Sequence, residues 1–345
     1  MRIIKLRLSI VFLSLCFCLD GTRLFGAEKV ITLKLGTLAP ANTSYHKSLQ
    51  AMGETWKKAT DGAVKLVIYP NGTLGGEADM VQLMQTHSLD AGLLTAVGLA
   101  EIDRDVHALQ SMPLSFHSLD EVDYVGEHLR PDLEKRMLAK GYVVLFWIDS
   151  GWVRFFTRTP ILHPEDLRKL KIFSWAGAIG EYDLWKSAGF TPVALETAGI
   201  PTGLMSKTID AIPMPPFFAL AGQLDTQAKY MLELNWAPLV GAAVIRKESW
   251  DRIPANHQSA LLKIAEETGK QVKAAGRAES DAAVAAMVKR GLKVQKVPPE
   301  VEAEWRAMAE QFKNQIRGKI VPADVFDKAQ ELLKQYRASK GEAGK

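Results

Sequence analysis

Between Ile31 and Ala96, three short apolar segments alternate with two segments patterned as helices, and this alternation constrains the fold more than any other feature of the chain. ITLKLGTL (31–38), AVKLVIYP (63–70) and SLDAGLLTA (88–96) are short and aliphatic, with turn formers between them, as strands are. Asn42, Thr43 or Ser44 can cap a helix that runs to about Thr60. Asn71-Gly72 is a strong turn signal, and Gly75-Gly76 leads into a helix from Glu77 to His87 with an acid in its favourable first turn. Strands interleaved with helices predict an α/β architecture. The pattern continues with a helix around Leu119–Lys140, strands at Tyr142–Trp147 and Trp152–Thr157, then KIFSW, TPVAL and TIDAIPMP with short helices between them. From Ser249 onward the chain is mostly helical, with Asp251–Arg290 and Pro299–Arg337 rich in Ala, Glu, Lys and Gln.

The N-terminus sets the compartment. Arg2, Lys5 and Arg7 precede an uncharged apolar run from Leu8 to Leu19, the layout of a secretory signal peptide, with cleavage expected after Ala27. The run is too short to span a bilayer comfortably. Lipoprotein anchoring through Cys16 or Cys18 is disfavoured, because Leu15 and Phe17 are bulky where a small residue is wanted. Both cysteines leave with the leader, which excludes a disulfide framework and thiolate chemistry in the mature chain. The formal charge drops from +4 to about +1 once Arg2, Lys5, Arg7, Arg23 and Asp20 are removed. No basic block points to nucleic acid.

Catalysis has no visible carrier. The chain lacks a G-x-S-x-G elbow, a Walker loop and an H-E-x-x-H pair, and its seven histidines are scattered without metal-ligand spacing. Neither an enzyme, a cofactor nor a metal site is expected.

The stretch GWVRFFTRTPILHPEDLRKLKIFSW (151–175) resembles the signature of the solute-binding proteins of TRAP transporters, the DctP-type family. That pattern reads roughly G-x-R-x-x-T … P-x-D-L-x-G-x-K-I-R-V-P, and it is met at Gly151, Arg154, Thr157, Pro164, Asp166, Leu167, Leu170, Lys171 and Ile172. YPNGTLGGEADMVQLMQTHSLDAG resembles the family's version of its first lobe. The resemblance implies a two-lobed periplasmic binding protein of type II-like fold, with a long C-terminal helical segment. The implied division is a signal peptide over 1–27, lobe 1 over 28–148 and 237–260, lobe 2 over 149–236, and a helical segment over 261–345 packed across both lobes. It also implies a small-molecule ligand, membrane permease subunits as partners and, in one branch, a tetratricopeptide-repeat partner protein.

The family's ligands are carboxylates held by an arginine on the KIR strand, and here the chain departs from the pattern. Phe173 stands for that arginine and Trp175 for the proline two residues on. Pro213 and Met214 replace the polar pair of D-G-x-E-N-P, Trp236 follows the next strand, and Leu38 and Thr95 fall where sugar-acid binders place Asn and Glu. Burying a carboxylate without a partner is expensive, whereas an apolar cavity gains about 25 cal/mol per Å² of apolar ligand surface removed from water. The resemblance thus implies a candidate ligand-contacting set of Leu38, Glu77, Thr95, Trp152, Arg154, Phe173, Trp175, Met214, Phe217 and Trp236, facing a mainly hydrophobic or amphiphilic molecule. Taken singly, an aromatic or Met of this kind is more often core than pocket, and only the resemblance favours the set as a lining. Arg154 either meets a ligand's polar end or pairs internally with Glu77, Asp149 or another acid. Two other readings stand beside this one: a 2-oxoacid or lactate-like monocarboxylate gripped by Arg154, and a non-transport periplasmic lipid carrier.

Overall fold

The structure, a computed structural model, describes residues 30–341. The leader, its cleavage site and both cysteines lie outside the described residues, as do the last four residues. No helix among the described residues is long and apolar enough to cross a membrane.

Three parallel strands open the chain: β1 (Ile31–Thr37), β2 (Val64–Tyr69) and β3 (Ala91–Thr95), joined by helices Ser44–Ala59 and Glu77–Gln85. The first helix is capped by Thr43, whose Oγ1 accepts from the His46 amide, and it carries Lys57 and Lys58 in its last turn, where the helix dipole favours them. Its buried face, Tyr45, Leu49, Met52 and Trp56, has the spacing of one helical stripe. Asn71 and Gly72 both take positive φ, which is why that pair of residues makes the turn.

Two long strands then cross the molecule. β4 (Tyr142–Thr157) replaces the two short strands expected there. It pairs antiparallel along its length with the strand Tyr230–Arg246, interrupted by register shifts, one of them between Asp149 and Trp152. Gly151, at φ 75°, takes up that irregularity. Between the two long strands in sequence lie β5 (Lys171–Trp175), β6 (Thr191–Leu195) and β7 (Ala211–Met214); the long Tyr230–Arg246 strand is β8 and Lys293–Lys296 is β9. The sheet order is β2-β1-β3-β8-β4-β7-β5-β6, with β9 on β8. β3 lies against the far half of β8 and β7 against the far half of β4, so two lobes hang on opposite ends of one strand pair.

The 35-residue helix Ala255–Lys289, about 52 Å long at 1.5 Å per residue, joins the lobes on one face of the sheet. Leu261, Ala265 and Val272 join the core of the first lobe, and Ala283 and Met287 join that of the second. Arg277, midway, donates to both carboxylate oxygens of Asp149 (2.9 and 2.6 Å) and to Asp123. On the opposite face, helix Pro299–Ile316 packs on the second lobe, with Trp305 Nε1 donating to the Leu162 carbonyl at 2.8 Å. Helix Ala323–Ser339 packs on helix Leu119–Ala139, where Arg337 pairs with the buried Glu121. Within the stretch expected to be mostly helical, Gly318 (φ 82°) and Pro322 separate these two helices.

Candidate functional site

The C-terminal ends of β1, β3, β5 and β7 converge between the lobes, the place where open α/β sheets leave a crevice for ligands. A cavity of about 160 Å³ lies there. The first lobe contributes Leu38, Tyr45 and Leu93–Thr95, the second contributes Trp175, Thr197, Ile200, Met214 and Phe218, and the crossing strands contribute Ile148, Ser150 and Leu239–Gly241. Among the described residues, no lysine, arginine, histidine or acid lines it.

Its few polar groups are nearly all engaged. Tyr45 donates to Ser150 Oγ at 2.7 Å, and burial pushes the Tyr45 phenol well above its ordinary pKa, so it stays neutral. Gly276 makes room for this pair, since a Cβ there would sit 2.1 Å from the Tyr45 oxygen. Thr37 Oγ1 accepts from the Ala39 amide, and Thr95 Oγ1 donates to Glu77. Thr197 Oγ1 is buried and has no partner among the described residues. Thr197 is thus the lining hydroxyl without any partner, in a mainly apolar enclosure.

The structure brings four of the sequence-derived candidates, Leu38, Thr95, Trp175 and Met214, to this cavity. Glu77 sits one layer behind. Its carboxylate accepts from the Thr95 amide (2.7 Å), the Thr95 hydroxyl (2.6 Å) and the Gly98 amide (2.9 Å). Burial raises its pKa, and these three bonds only partly oppose that. Phe173 is buried in the second lobe's core and meets the Trp175 ring edge-on at 5.0 Å. Phe217 stacks on Tyr45 from behind (5.4 Å). Trp152 packs against the large core, and Trp236 lines a smaller neighbouring cavity of about 70 Å³.

Arg154 lies outside the lining. It faces Met214 across the β4–β7 register, half-buried, and its Nε donates to Asn235 Oδ1 at 3.2 Å. Neither of the acids weighed by name as its partner is available: Glu77 is capped by backbone and Thr95, and Asp149 is held by Arg277. Sequence reading missed Tyr45, Ser150, Thr197, Ile200 and Phe218. Nothing in their local pattern marks them, except that Thr197 follows the end of a strand, where binding loops start.

The comparisons agree with this architecture. The family profile described as bacterial extracellular solute-binding protein, family 7 (DctP), matches residues 35–318. The 2,3-diketo-L-gulonate-binding periplasmic protein of Escherichia coli is 25% identical over 297 residues, covering 84% of this chain and 87% of that protein. The C4-dicarboxylate-binding periplasmic protein of Rhodobacter capsulatus is 24% identical, covering 80% and 83%. Among solved structures, a TRAP periplasmic solute-binding protein from Ralstonia eutropha, with bound (S)-2-acetolactate, superposes with a TM-score of 0.82. It has 18% identity, over 88% of this chain and 99% of that one. A TRAP periplasmic solute-binding protein from Haemophilus influenzae with bound L-gulonate gives 0.79, also at 18% identity, over 89% and 99%. These likenesses extend through both lobes, and the chain belongs to the DctP family of bacterial extracellular solute-binding proteins, family 7.

Proposed function

We propose that this protein captures a mainly apolar or amphiphilic small molecule in the periplasm and hands it to the membrane permease subunits of a TRAP-type transporter. One observation carries the ligand class: among the described residues no lysine, arginine or histidine lines the interlobe cavity, although the ligands named for the relatives and seen in the solved neighbours are carboxylates. A guanidinium compensates a carboxylate's lost hydration with two parallel charge-assisted bonds. Phe173 stands at the position of the family's arginine and is turned into the core. A lining of Leu, Ile, Val, Met, Phe and Trp instead favours removal of apolar surface from water. Thr197 Oγ1 offers one hydrogen bond to a polar end.

Organic-solvent extraction of protein purified without refolding, followed by mass spectrometry, tests this. A stoichiometric lipid-like or aromatic compound is the expected result. An empty extract, together with thermal stabilisation by lactate or pyruvate that disappears in Arg154→Ala, would instead support a monocarboxylate reading. That second reading draws on the position of Arg154 directly opposite the cavity-lining Met214.

A further inference from the structure

Beside the main cavity lies the smaller one, and Trp175 and Leu239 line both. Its walls are of a different chemistry. Trp175, Trp185, Trp236 and Phe312 border it, and Glu181 is its single charged residue among those described. The Trp185 and Trp236 rings are stacked, with centroids 5.5 Å apart, and Phe312 stands nearly perpendicular to both at 5.7 and 6.4 Å. Glu181 reaches in from the second lobe's helix Ile179–Ser187, and its Oε1 accepts from Ser111 of the first lobe at 2.8 Å. Among the described residues no lysine or arginine lines this cavity, and the histidine on which the Glu181 charge acts is His107.

Aromatic faces carry negative quadrupole potential, and a carboxylate adds a full negative charge. Together they disfavour anions and favour a compact, weakly hydrated cation. We infer that this second cavity is a subsite for an ammonium group, methylated or quaternary, with the Trp185, Trp236 and Trp175 rings as its cage and Glu181 as its counter-charge. The inference rests on the reading of the interlobe crevice as the ligand site. It makes the ligand an amphiphilic amine whose apolar body lies in the main cavity and whose head passes Trp175. The space of about 70 Å³ accommodates a head group of a few heavy atoms but no second apolar body. His107 is 3.1 Å from Ser111 Oγ, and burial lowers its pKa although the Glu181 charge opposes that.

Calorimetric titration of the mature protein with choline tests the subsite by itself, and 3,3-dimethyl-1-butanol, its uncharged isostere, is the control. Choline is expected to bind at least about tenfold more tightly than the isostere, and Glu181→Gln is expected to remove that difference. Trp185→Leu should also weaken choline. Neither substitution should alter binding of 1-octanol, the probe for the main cavity. Equal binding of choline and its isostere, unchanged choline affinity in a folded Glu181→Gln protein, or no saturable heat at about 10 mM choline would each overturn the inference. If 1-octanol binds while choline fails, the apolar reading of the main cavity survives and only the subsite is lost. If choline binds while 1-octanol fails, the subsite stands and the main-cavity reading falls.

Discussion

Exchanging the hydroxyl of a bound medium-chain alcohol for a carboxylate, at constant chain length, isolates the property that separates this cavity from those of its carboxylate-binding relatives. The hydroxyl protons of Tyr45 and Thr95 are donated to protein partners, Thr37 and Ser150 Oγ each accept one bond, and Thr197 Oγ1 has no partner among the described residues. A few neutral hydroxyls without a cation replace the whole hydration shell of a carboxylate poorly, and the net penalty for such burial is several kcal/mol. A ligand that instead binds protonated meets an upper limit. At about pH 8 an acid with pKa near ~4.5 needs ~5 kcal/mol to bind neutral, at ~1.4 kcal/mol per pH unit. The penalty therefore falls between ~2 and ~5 kcal/mol, so octanoate should bind at least about thirtyfold more weakly than 1-octanol. Calorimetry or tryptophan emission at fixed ionic strength reads this difference. If the limit is reached, lowering the pH toward about 6 tightens octanoate by up to ~10-fold per unit while 1-octanol stays flat. Octanoate binding as tightly as 1-octanol at about pH 8, and losing that affinity in Arg154→Met, would refute the reasoning and place Arg154 on the ligand.

An arginine placed at position 173 should not create carboxylate binding. Phe173 is 1% exposed, so Phe173→Arg buries an unpaired guanidinium and should lower stability by about 2 kcal/mol or more in urea titrations, without tight succinate binding. Arg277→Met removes the fork on Asp149, whose side chain is 3% exposed; a loss of about 3–5 kcal/mol is expected, and Asp149→Asn should recover part of it. The Asp123 carboxyl is opposed by its own burial, yet bonds to Arg277 and Lys273 outweigh that and hold its pKa below the ordinary carboxylate value. Its stabilising contribution is complete above the unfolded-state pKa of about 4 and disappears as pH falls through the lower folded value. Urea midpoints measured from neutral pH down to about pH 3 should therefore drop less steeply in Asp123→Asn.

Some of the architecture was legible because it is local. The β1–β3 alternation, the Thr43 cap and the Asn71-Gly72 turn depend on residues a few positions apart, and they appear where the pattern puts them. The motif around Arg154 likewise led to the family. β4 was read as two strands, at 142–147 and 152–157; pairing with β8 joins them across a register shift between Asp149 and Trp152. The mostly helical C-terminal part was legible from its composition, and Gly318 and Pro322 mark where it divides into two helices.

By itself the sequence determined that strands alternate with helices, that both cysteines fall within the first 18 residues, and that positions 173 and 214 are occupied by Phe and Met. Those are matters of period, composition and residue type. Only tertiary structure decided which of the candidates share a cavity. Leu38, Thr95, Trp175 and Met214 meet there because the parallel strand ends converge, whereas Phe173 turns into the core and Glu77 is used by the Thr95 and Gly98 amides. The Trp185–Trp236–Phe312 arrangement beside Glu181 joins residues from three distant segments. No spacing along a chain encodes such a meeting, because it follows from how the second lobe, the crossing strands and the C-terminal helices pack together.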